Sequence, residues 1–327
     1  MECQVFVSAF IYYLKMPVEE ADCYHAISTG YAGILACKGH YLYNKPVLLT
    51  EHGIYTRERE EEIIKVEWTQ GIYKDLWIRY FYTLSGCIYQ CASQVISLFG
   101  AAQKIQLELG CPKEKTRVIS NGVYVKQFAD IPEKDKDDTY INVGAVLRVV
   151  PIKDVKTMIN AFALAKGKVP ELKLYIIGPT DENPKYYEEC LEFIKSFQVE
   201  DIVFTGRVNV KEYLGKMDMT ILTSISEGQP LSILEAMASS KPCIATDVGG
   251  CKELLYGGEK DSLGRSGLIV PVMSVDKIAD AIVTLAKDPD LREDMGYNGR
   301  LRVKAFYRNE QVTKTYQDLY EQYRDWK

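Results

Sequence analysis

From Tyr140 onward, short β-branched runs alternate with longer helical patterns, and this alternation limits the possible folds more than any other feature. A parallel sheet with crossover helices produces such a pattern. The second half is therefore predicted to be a complete, doubly wound α/β domain. Its predicted strands are Tyr140 to Val146, Leu172 to Ile177, Ile202 to Gly206, Met219 to Thr223, Pro242 to Asp247 and Leu268 to Val272.

The first half is less regular. A long helical pattern runs from Glu58 to Ala92, and we expect breaks at Gly71 and Gly86, because glycine weakens a helix interior. The candidate strands are Val47 to Thr50, Val95 to Phe99 and Arg117 to Ser120.

A polar, charged passage from Ile131 to Asp138 separates the two halves and is predicted to be a linker. We therefore place an N-terminal domain at residues 1–137 and a C-terminal domain at 138–305. The last segment, residues 306–327, is predicted to be an amphipathic helix that packs near the domain junction.

Composition excludes several classes of protein. The 327 residues suggest two domains of ~150 residues, each large enough for its own core. A net charge of −5 argues against a nucleic-acid partner held by bulk charge. Nine cysteines without a CxxC pair and three histidines argue against a disulfide framework and a zinc cluster, and indicate a reducing compartment.

The amino terminus lacks the basic stretch and cleavage site of a secretory signal, so we predict a cytoplasmic protein. The uncharged stretch from Phe81 to Ala102 contains several polar residues and is predicted to be a buried helix followed by a strand. Its tyrosines are also compatible with peripheral contact with a membrane synthase complex, which would place the protein at the inner face of the membrane.

The most informative stretch is Ser226 to Ala238, SEGQPLSILEAMA, which follows the predicted strand ending at Thr223. A polar loop leads there into a helix with a proline near its first turn. Backbone N–H groups at a helix N-terminus bind phosphate groups. The stretch therefore predicts a diphosphate site beyond the carboxyl end of the strand.

Two glutamates in this stretch, Glu227 and Glu235, have the spacing E-x7-E. If the intervening residues were all helical, the two would lie ~12 Å apart by rise and ~80° apart around the axis. They are predicted to hold the two ends of an extended ligand such as a nucleotide sugar. Glycoside hydrolases need carboxyl groups ~5 to 9.5 Å apart, which argues against hydrolysis. Because Glu235 lies in an apolar turn, its carboxylate needs a partner.

Two cations, Arg148 and Lys153, follow the first predicted strand of the second domain. An arginine fork and a lysine point charge together neutralise a leaving diphosphate without a metal. The two DxD sequences, at Asp135 and Asp288, are poorly placed to hold a metal ion. We therefore predict neither a metal nor a cofactor.

One of the three histidines, His52, stands at the end of a predicted strand and is followed by Gly53. That position makes it the better candidate for a site. His25 and His40 lie in less regular sequence and are assigned structural roles. For Arg57 and Arg59, two roles are equally compatible with the sequence: ion pairs with glutamates on the helix face, or binding of the acceptor.

The run from Asn142 to Pro271 resembles the retaining glycosyltransferases of family 4, which have the GT-B fold of two Rossmann-like domains with a cleft between them. Its motifs are Arg148, Lys153, SEGQPLSILEAMA, ATDVGG and GLIVP. The phrases YHAISTGYAG, LTEHGIYTRER and RVVPIKDVKT resemble more narrowly the PelF-type glycosyltransferases of exopolysaccharide synthesis. Family members begin with a strand and a Gly-rich loop that this sequence does not show, so the first domain is predicted to be incomplete.

The resemblance implies a role for each candidate residue. Glu227 would contact the donor sugar and Glu235 the ribose. Arg148 and Lys153 would hold the diphosphate and stabilise it as it leaves, while His52 would lie near the transferred sugar. The remainder of the phosphate site would be the backbone at Gly228, Gln229, Pro230 and Leu231.

We therefore predict a metal-independent, retaining hexosyltransferase that moves a hexose from a nucleotide sugar to a saccharide or lipid-linked acceptor. The resemblance implies UDP as the nucleotide and exopolysaccharide or cell-surface glycan synthesis as the setting. The alternative is a catalytically impaired, UDP-binding subunit of a polysaccharide synthesis complex. Turnover of a UDP-sugar, set against UDP binding without turnover, distinguishes the two.

Overall fold

The computed structural model describes residues 10–258 and 261–324. This part of the chain forms two compact units. The first contains residues up to Ser120 together with those from Val312 on, and the second runs from Asn121 to Gln311. Each unit is built on its own parallel sheet.

The first unit has a four-stranded sheet in the order β1-β2-β3-β4. Its strands are β1 Tyr24–Ala26, β2 Val47–Glu51, β3 Gln94–Ser97 and β4 Thr116–Val118. Its helices are α1 Tyr31–Tyr43, α2 Tyr55–Lys65, α3 Ile72–Cys91, α4 Gly100–Glu108 and α12 Asn309–Arg324.

Helices cover both faces of this sheet. Successive residues of a strand point to opposite faces. Val47 and Leu49 pack with residues of α1 and α3 on one face. Leu48 packs with Leu319 and Tyr323 of α12 on the other. The C-terminal helix therefore belongs to the core of the first unit.

The second unit has a six-stranded sheet in the order β10-β9-β8-β5-β6-β7. All six predicted strands are present, with bounds within two residues of those expected. They are β5 Ile141–Val146, β6 Leu172–Ile177, β7 Ile202–Gly206, β8 Met219–Leu222, β9 Cys243–Thr246 and β10 Gly267–Val270. The strand order reverses between β5 and β8, and doubly wound sheets bind ligands beyond the carboxyl ends of the strands at such a point.

Seven helices of the described residues cover this sheet, and several begin with a side-chain cap. Asp154, Asn183 and Asp288 each accept a hydrogen bond from a backbone N–H in the first turn of the helix that follows. The helices are α5 Val155–Lys166, α6 Pro184–Phe197, α7 Val210–Lys216, α8 Leu231–Ala238, α9 Cys251–Tyr256, α10 Val275–Lys287 and α11 Pro289–Phe306.

The predicted linker is part of the second unit, which begins at Asn121 and not near residue 138. Phe128 is buried in its core. The carbonyl of Pro132 lies so close to Gly215 that a Cβ there would be 1.8 Å from its oxygen. Lys134 forms an ion pair with Asp218 at 2.6 Å. The predicted linker from Ile131 to Asp138 is therefore packed against the second unit through its backbone and through Lys134.

One of the two breaks expected in the long helical pattern is confirmed and the other is wrong. Gly71, with a φ of 55°, precedes α3 as its N-cap, whereas Gly86 lies inside α3 without breaking it. The sequence did not predict β1, because three residues are too few to show an alternating pattern. Among the described residues, we find no helix with both the length and the apolar character needed to cross a membrane.

Candidate functional site

The loops that follow β5 and β8 are joined where the strand order reverses. The Thr223 hydroxyl donates to the carbonyls of Lys153 and Asp154, at 3.0 and 3.2 Å. The Ile225 N–H donates to the Ile152 carbonyl at 2.9 Å. These bonds hold the two candidate loops, 147–154 and 223–230, side by side.

Lys153 and Glu227 form a direct ion pair inside this junction, between Nζ and Oε1. The Ser224 hydroxyl donates to the same Glu227 oxygen at 2.6 Å. The two charged side chains are only 16% and 10% exposed. The residues predicted to hold the diphosphate and the donor sugar are therefore in contact with each other, and their charges compensate.

The ATDVGG motif supports the glutamate loop from the other side. Gly249 has a φ of 52°, and a Cβ there would lie 2.2 Å from the Glu227 carbonyl oxygen. The Gly250 N–H donates to the Gly228 carbonyl at 2.7 Å. The Thr246 hydroxyl donates to the Ser224 carbonyl at 2.6 Å. Glycine is therefore required because this backbone approaches the loop that carries Glu227.

Gln229 has a structural role that the sequence did not indicate. Its side-chain oxygen accepts from the Asn121 N–H at 2.6 Å, and the Asn121 side-chain amide donates to the Gln229 carbonyl at 3.1 Å. Gln229 is 5% exposed. The turn residues Asn121 and Gly122 gave no sign of this partnership, because it joins positions that are far apart in the sequence.

Helix α8 starts at Leu231 and has Pro230 as its N-terminal cap. Residues 227–230 are therefore loop, and the distance estimated for an entirely helical E-x7-E does not apply. The first N–H groups of a helix have no partner within it. In α8 these groups belong to the stretch predicted to bind phosphate.

Glu235 lies on α8 among buried neighbours and is itself half-buried. Within residues 10–258 and 261–324, no side chain forms a hydrogen bond or an ion pair with its carboxylate. Burial raises the pKa of Glu235, and the charge of Lys211 partly opposes this effect. The predicted need for a partner is thus unmet by the protein, so the carboxylate is free to accept hydrogen bonds from a ligand.

Arg148 lies apart from the Lys153 pair. Its guanidinium contacts the Glu182 carboxylate at 2.8 Å, and its side chain is 57% exposed. The loop that follows β6 supplies Glu182, which the sequence did not single out. The two predicted diphosphate cations therefore have different partners, one near the surface and one inside the junction.

His52 is an exposed residue in the first unit, immediately after β2. His25, which was assigned a structural role, lies on β1 with hydrogen bonds to Tyr320 at 2.6 Å and Thr50 at 2.8 Å. Burial and the nearby His52 lower the pKa of His25. The carboxyl end of this sheet therefore carries two histidines, one bonded to the C-terminal helix and one open to solvent.

The arginines that follow His52 form ion pairs on helix α2. Arg57 contacts Glu108 at 3.3 Å, and Arg59 contacts Glu62 at 2.5 Å. In the described part of the chain, no group of three or more His, Cys, Asp or Glu side chains is placed to hold a metal ion. Independence from metal stays a prediction about the reaction.

Comparison with known families decides the class of protein. The sequence model described as "Glycosyl transferases group 1" matches residues 126–302, more than half of the chain. The chain belongs to this family. Residues 2–114 match a domain of unknown function, DUF3492.

Several curated proteins are similar to this chain. N-acetyl-alpha-D-glucosaminyl L-malate synthase from Bacillus anthracis is 32% identical over 171 residues, 52% of this chain and 42% of that protein. The uncharacterized glycosyltransferase MJ1178 from Methanocaldococcus jannaschii is 28% identical over 302 residues, 90% of this chain and 75% of that protein. The match to D-inositol 3-phosphate glycosyltransferase from Kribbella flavida spans 48% of that protein. The chain thus spans about half the length of the first and third of these relatives.

Solved structures show the fold. Anabaena HepE in complex with UDP superposes with a TM-score of 0.74 at 19% identity, covering 97% of this chain and 82% of that one. Sucrose-phosphate synthase from Thermosynechococcus elongatus gives a TM-score of 0.72 at 22% identity, covering 97% of this chain and 77% of that one. These are GT-B glycosyltransferases, so the predicted GT-B fold with two Rossmann-like domains is confirmed. The incompleteness of the first domain stays a prediction.

Proposed function

We propose that this chain is a glycosyltransferase that moves a hexose from a UDP-sugar to a saccharide or lipid-linked acceptor. The reaction retains the configuration of the sugar and needs no metal ion. One observation carries the proposal. At the reversal of strand order in the second unit, Lys153 pairs with Glu227, and the stretch that carries Glu227 also carries Glu235, whose carboxylate has no partner among the described residues. A donor with a diphosphate, a sugar and a ribose supplies a partner for each of these groups.

The Lys153–Glu227 pairing suggests how the donor would be accommodated. A diphosphate carries more negative charge than one carboxylate and would compete for the Lys153 ammonium. Glu227 would then be released to accept hydrogen bonds from hydroxyls of the donor sugar, while the Ser224 hydroxyl keeps it oriented. The Glu235 carboxylate would accept from the ribose diol. Arg148 would leave Glu182 and add a second cation.

The chemistry that follows is front-face displacement. The glycosidic bond to the diphosphate breaks while the acceptor hydroxyl attacks from the same side, and the diphosphate carries away the electron pair. The released diphosphate oxygen takes the proton that the acceptor hydroxyl loses. Charge grows on the leaving group in the transition state, where a fixed cation is worth most. Lys153 and Arg148 are therefore proposed to stabilise the leaving group, and His52 to lie near the transferred sugar.

Several finer points belong to the same proposal. UDP is favoured as the nucleotide, because HepE was solved with UDP and with UDP-glucose. The phrases shared with PelF-type members of family 4 favour exopolysaccharide or cell-surface glycan synthesis. We place the activity in the cytoplasm, with peripheral contact with a membrane synthase complex as the setting for a lipid-linked acceptor.

The test is incubation of the full chain with a panel of UDP-, GDP- and ADP-sugars, with and without EDTA. Nucleotide release is measured by coupled assay, and UDP affinity by calorimetry. We expect release from a UDP-sugar that EDTA does not reduce. NMR of the product should show the anomeric configuration of the donor.

Each alternative predicts a different outcome. Binding of UDP with no release from any sugar would support the non-catalytic subunit. Loss of activity in EDTA with recovery in magnesium or manganese would contradict independence from metal. Absence of both UDP binding and release would contradict the proposed donor site itself.

A further inference from the structure

We propose that Cys37 and Cys91 form a peroxide-responsive dithiol that closes to a disulfide between helices α1 and α3 of the first unit. This site is independent of the glycosyltransferase chemistry, whose proposed residues lie elsewhere. It is a modification site whose substrate is a hydroperoxide such as hydrogen peroxide. Both cysteines are free thiols in the structure.

The helix crossing brings the two thiols together. α1 leads from β1 into β2 and α3 leads into β3, so both run antiparallel to the same parallel strands and parallel to each other. At their contact, a Cβ on Gly33 would lie 2.6 Å from the Ile88 side chain. Cys37 follows Gly33 by four residues and Cys91 follows Ile88 by three, so both lie one turn beyond the contact, on facing sides.

Packing and bonding agree with this placement. Both cysteines are half-buried and pack against the same hydrophobic cluster. The two thiols also influence each other's ionisation, since the pKa of Cys37 is raised and that of Cys91 is lowered by their interaction. Two thiols on facing sides of packed helices are placed so that a disulfide can form without a large backbone movement.

The surroundings favour the thiolate at Cys91. The interaction with Cys37 is the main cause that lowers the pKa of Cys91 to about 7; His40 and Lys115 contribute to the lowering, and burial opposes it. Lys115 is held at this place by a hydrogen bond from its ammonium to the Gln90 carbonyl at 2.5 Å. The same contact raises the pKa of Cys37, which therefore remains a thiol. One nucleophile and one resolving thiol are thus paired.

The reaction balances in two steps. The Cys91 thiolate attacks one peroxide oxygen, the O–O bond breaks, and the released hydroxide takes a proton from solvent, leaving a sulfenic acid and water. The Cys37 sulfur then attacks the Cys91 sulfur, and the S–O bond breaks. The departing hydroxide takes the Cys37 proton and becomes a second water. The two thiols lose two electrons, and the peroxide gains two.

The experiment treats the reduced full chain with hydrogen peroxide and maps cross-linked peptides by mass spectrometry under non-reducing conditions. We expect one cross-link, between Cys37 and Cys91, which dithiothreitol reverses. Cys87→Ser is the matched control, because Cys87 is exposed on α3 one turn before Cys91. This variant should form the same cross-link.

Two substitutions of Cys37 separate its roles. Cys37→Ser keeps a hydroxyl donor but forms no disulfide, so Cys91 should accumulate as a sulfenic acid that dimedone traps. Cys37→Ala removes the interaction, so the pKa of Cys91 should rise. A rise of one unit from about 7 lowers the thiolate fraction at pH 7, and with it the rate of alkylation by iodoacetamide, about fivefold. The proposal is overturned if the wild-type chain forms no Cys37–Cys91 cross-link while Cys91 is oxidised, or if Cys91 pairs with Cys87 instead.

Discussion

Each unit holds a glutamate near the carboxyl end of a parallel strand, and the two carboxylates are satisfied in opposite ways. Glu51, the last residue of β2, is 1% exposed and accepts hydrogen bonds from three neutral donors: Tyr89 at 2.7 Å, Gln106 at 2.9 Å and Thr29 at 3.3 Å. Glu227 is 10% exposed and is held by a cation and one hydroxyl. Burial raises the pKa of Glu51.

This difference separates structural from functional use of the same residue type. The donors around Glu51 are themselves buried, so a ligand cannot replace them without opening the core. Glu227 is paired with Lys153, whose charge a stronger anion can take over. In this protein we therefore assign the buried Glu51, with its neutral donors, to a structural role. We assign Glu227 to ligand binding, because a ligand anion can displace it from Lys153 at the reversal of strand order.

The largest expected effect is on stability at Glu51. Replacing it by alanine leaves three buried donors without an acceptor, at about 1–3 kcal/mol for each. We expect Glu51→Ala to lower the free energy of unfolding by about 3 to 6 kcal/mol, measured by urea denaturation. Glu227→Ala is the comparison variant, and we expect a smaller loss because the Lys153 ammonium that loses its partner is 16% exposed and can be solvated. Equal losses at the two positions would contradict the comparison.

The next effect is on transfer at Lys153. Loss of a fixed charge that stabilises a leaving group typically lowers kcat by about 10² to 10³, or about 2.7–4 kcal/mol. Lys153→Ala should therefore reduce sugar transfer by this factor while UDP binding weakens much less. Arg148→Ala is the control near the surface, and it should cost less because that guanidinium is 57% exposed and already paired with Glu182. A larger loss at Arg148 would reverse the assignment of the main cation.

How far these differences could be predicted from the sequence depends on the range of the interactions. The second unit was predictable because its strands are continuous apolar runs separated by long amphipathic helices. The Lys153–Glu227 pair was not, although both residues were singled out, because its formation depends on Thr223 joining two loops that lie far apart in the chain. Glu51 was passed over in favour of His52, since a carboxylate buried by Tyr89 and Gln106 leaves no local pattern.

A smaller effect is expected for nucleotide binding at Glu235. A hydrogen bond to a charged group contributes about 1.5–3 kcal/mol. We expect Glu235→Ala to weaken UDP binding by this amount in calorimetry, with thermal unfolding nearly unchanged because no described side chain pairs with the carboxylate. Glu235→Gln, which keeps one acceptor oxygen, should lose less. Unchanged UDP affinity in a folded Glu235→Ala protein would count against this site.

The smallest effect is the pH dependence that Glu51 gives to stability. Because its pKa is raised in the folded protein above the value of 4.5, the folded state binds this proton more tightly than the unfolded state does. Its contribution to stability is therefore fully present below pH 4.5 and is lost as pH rises through the folded pKa. The glutamine of Glu51→Gln cannot titrate. The unfolding free energy of the wild type should therefore fall relative to that of this variant as pH rises.

Both proteins contain His25, so its contribution is removed when one free energy is subtracted from the other. That contribution is otherwise opposite to that of Glu51, because the pKa of His25 is lowered in the folded protein and its effect raises stability as pH rises toward 6.5. Parallel pH curves for the two proteins would show that Glu51 binds its proton equally well in the folded and unfolded states, and would remove the electrostatic half of the comparison with Glu227.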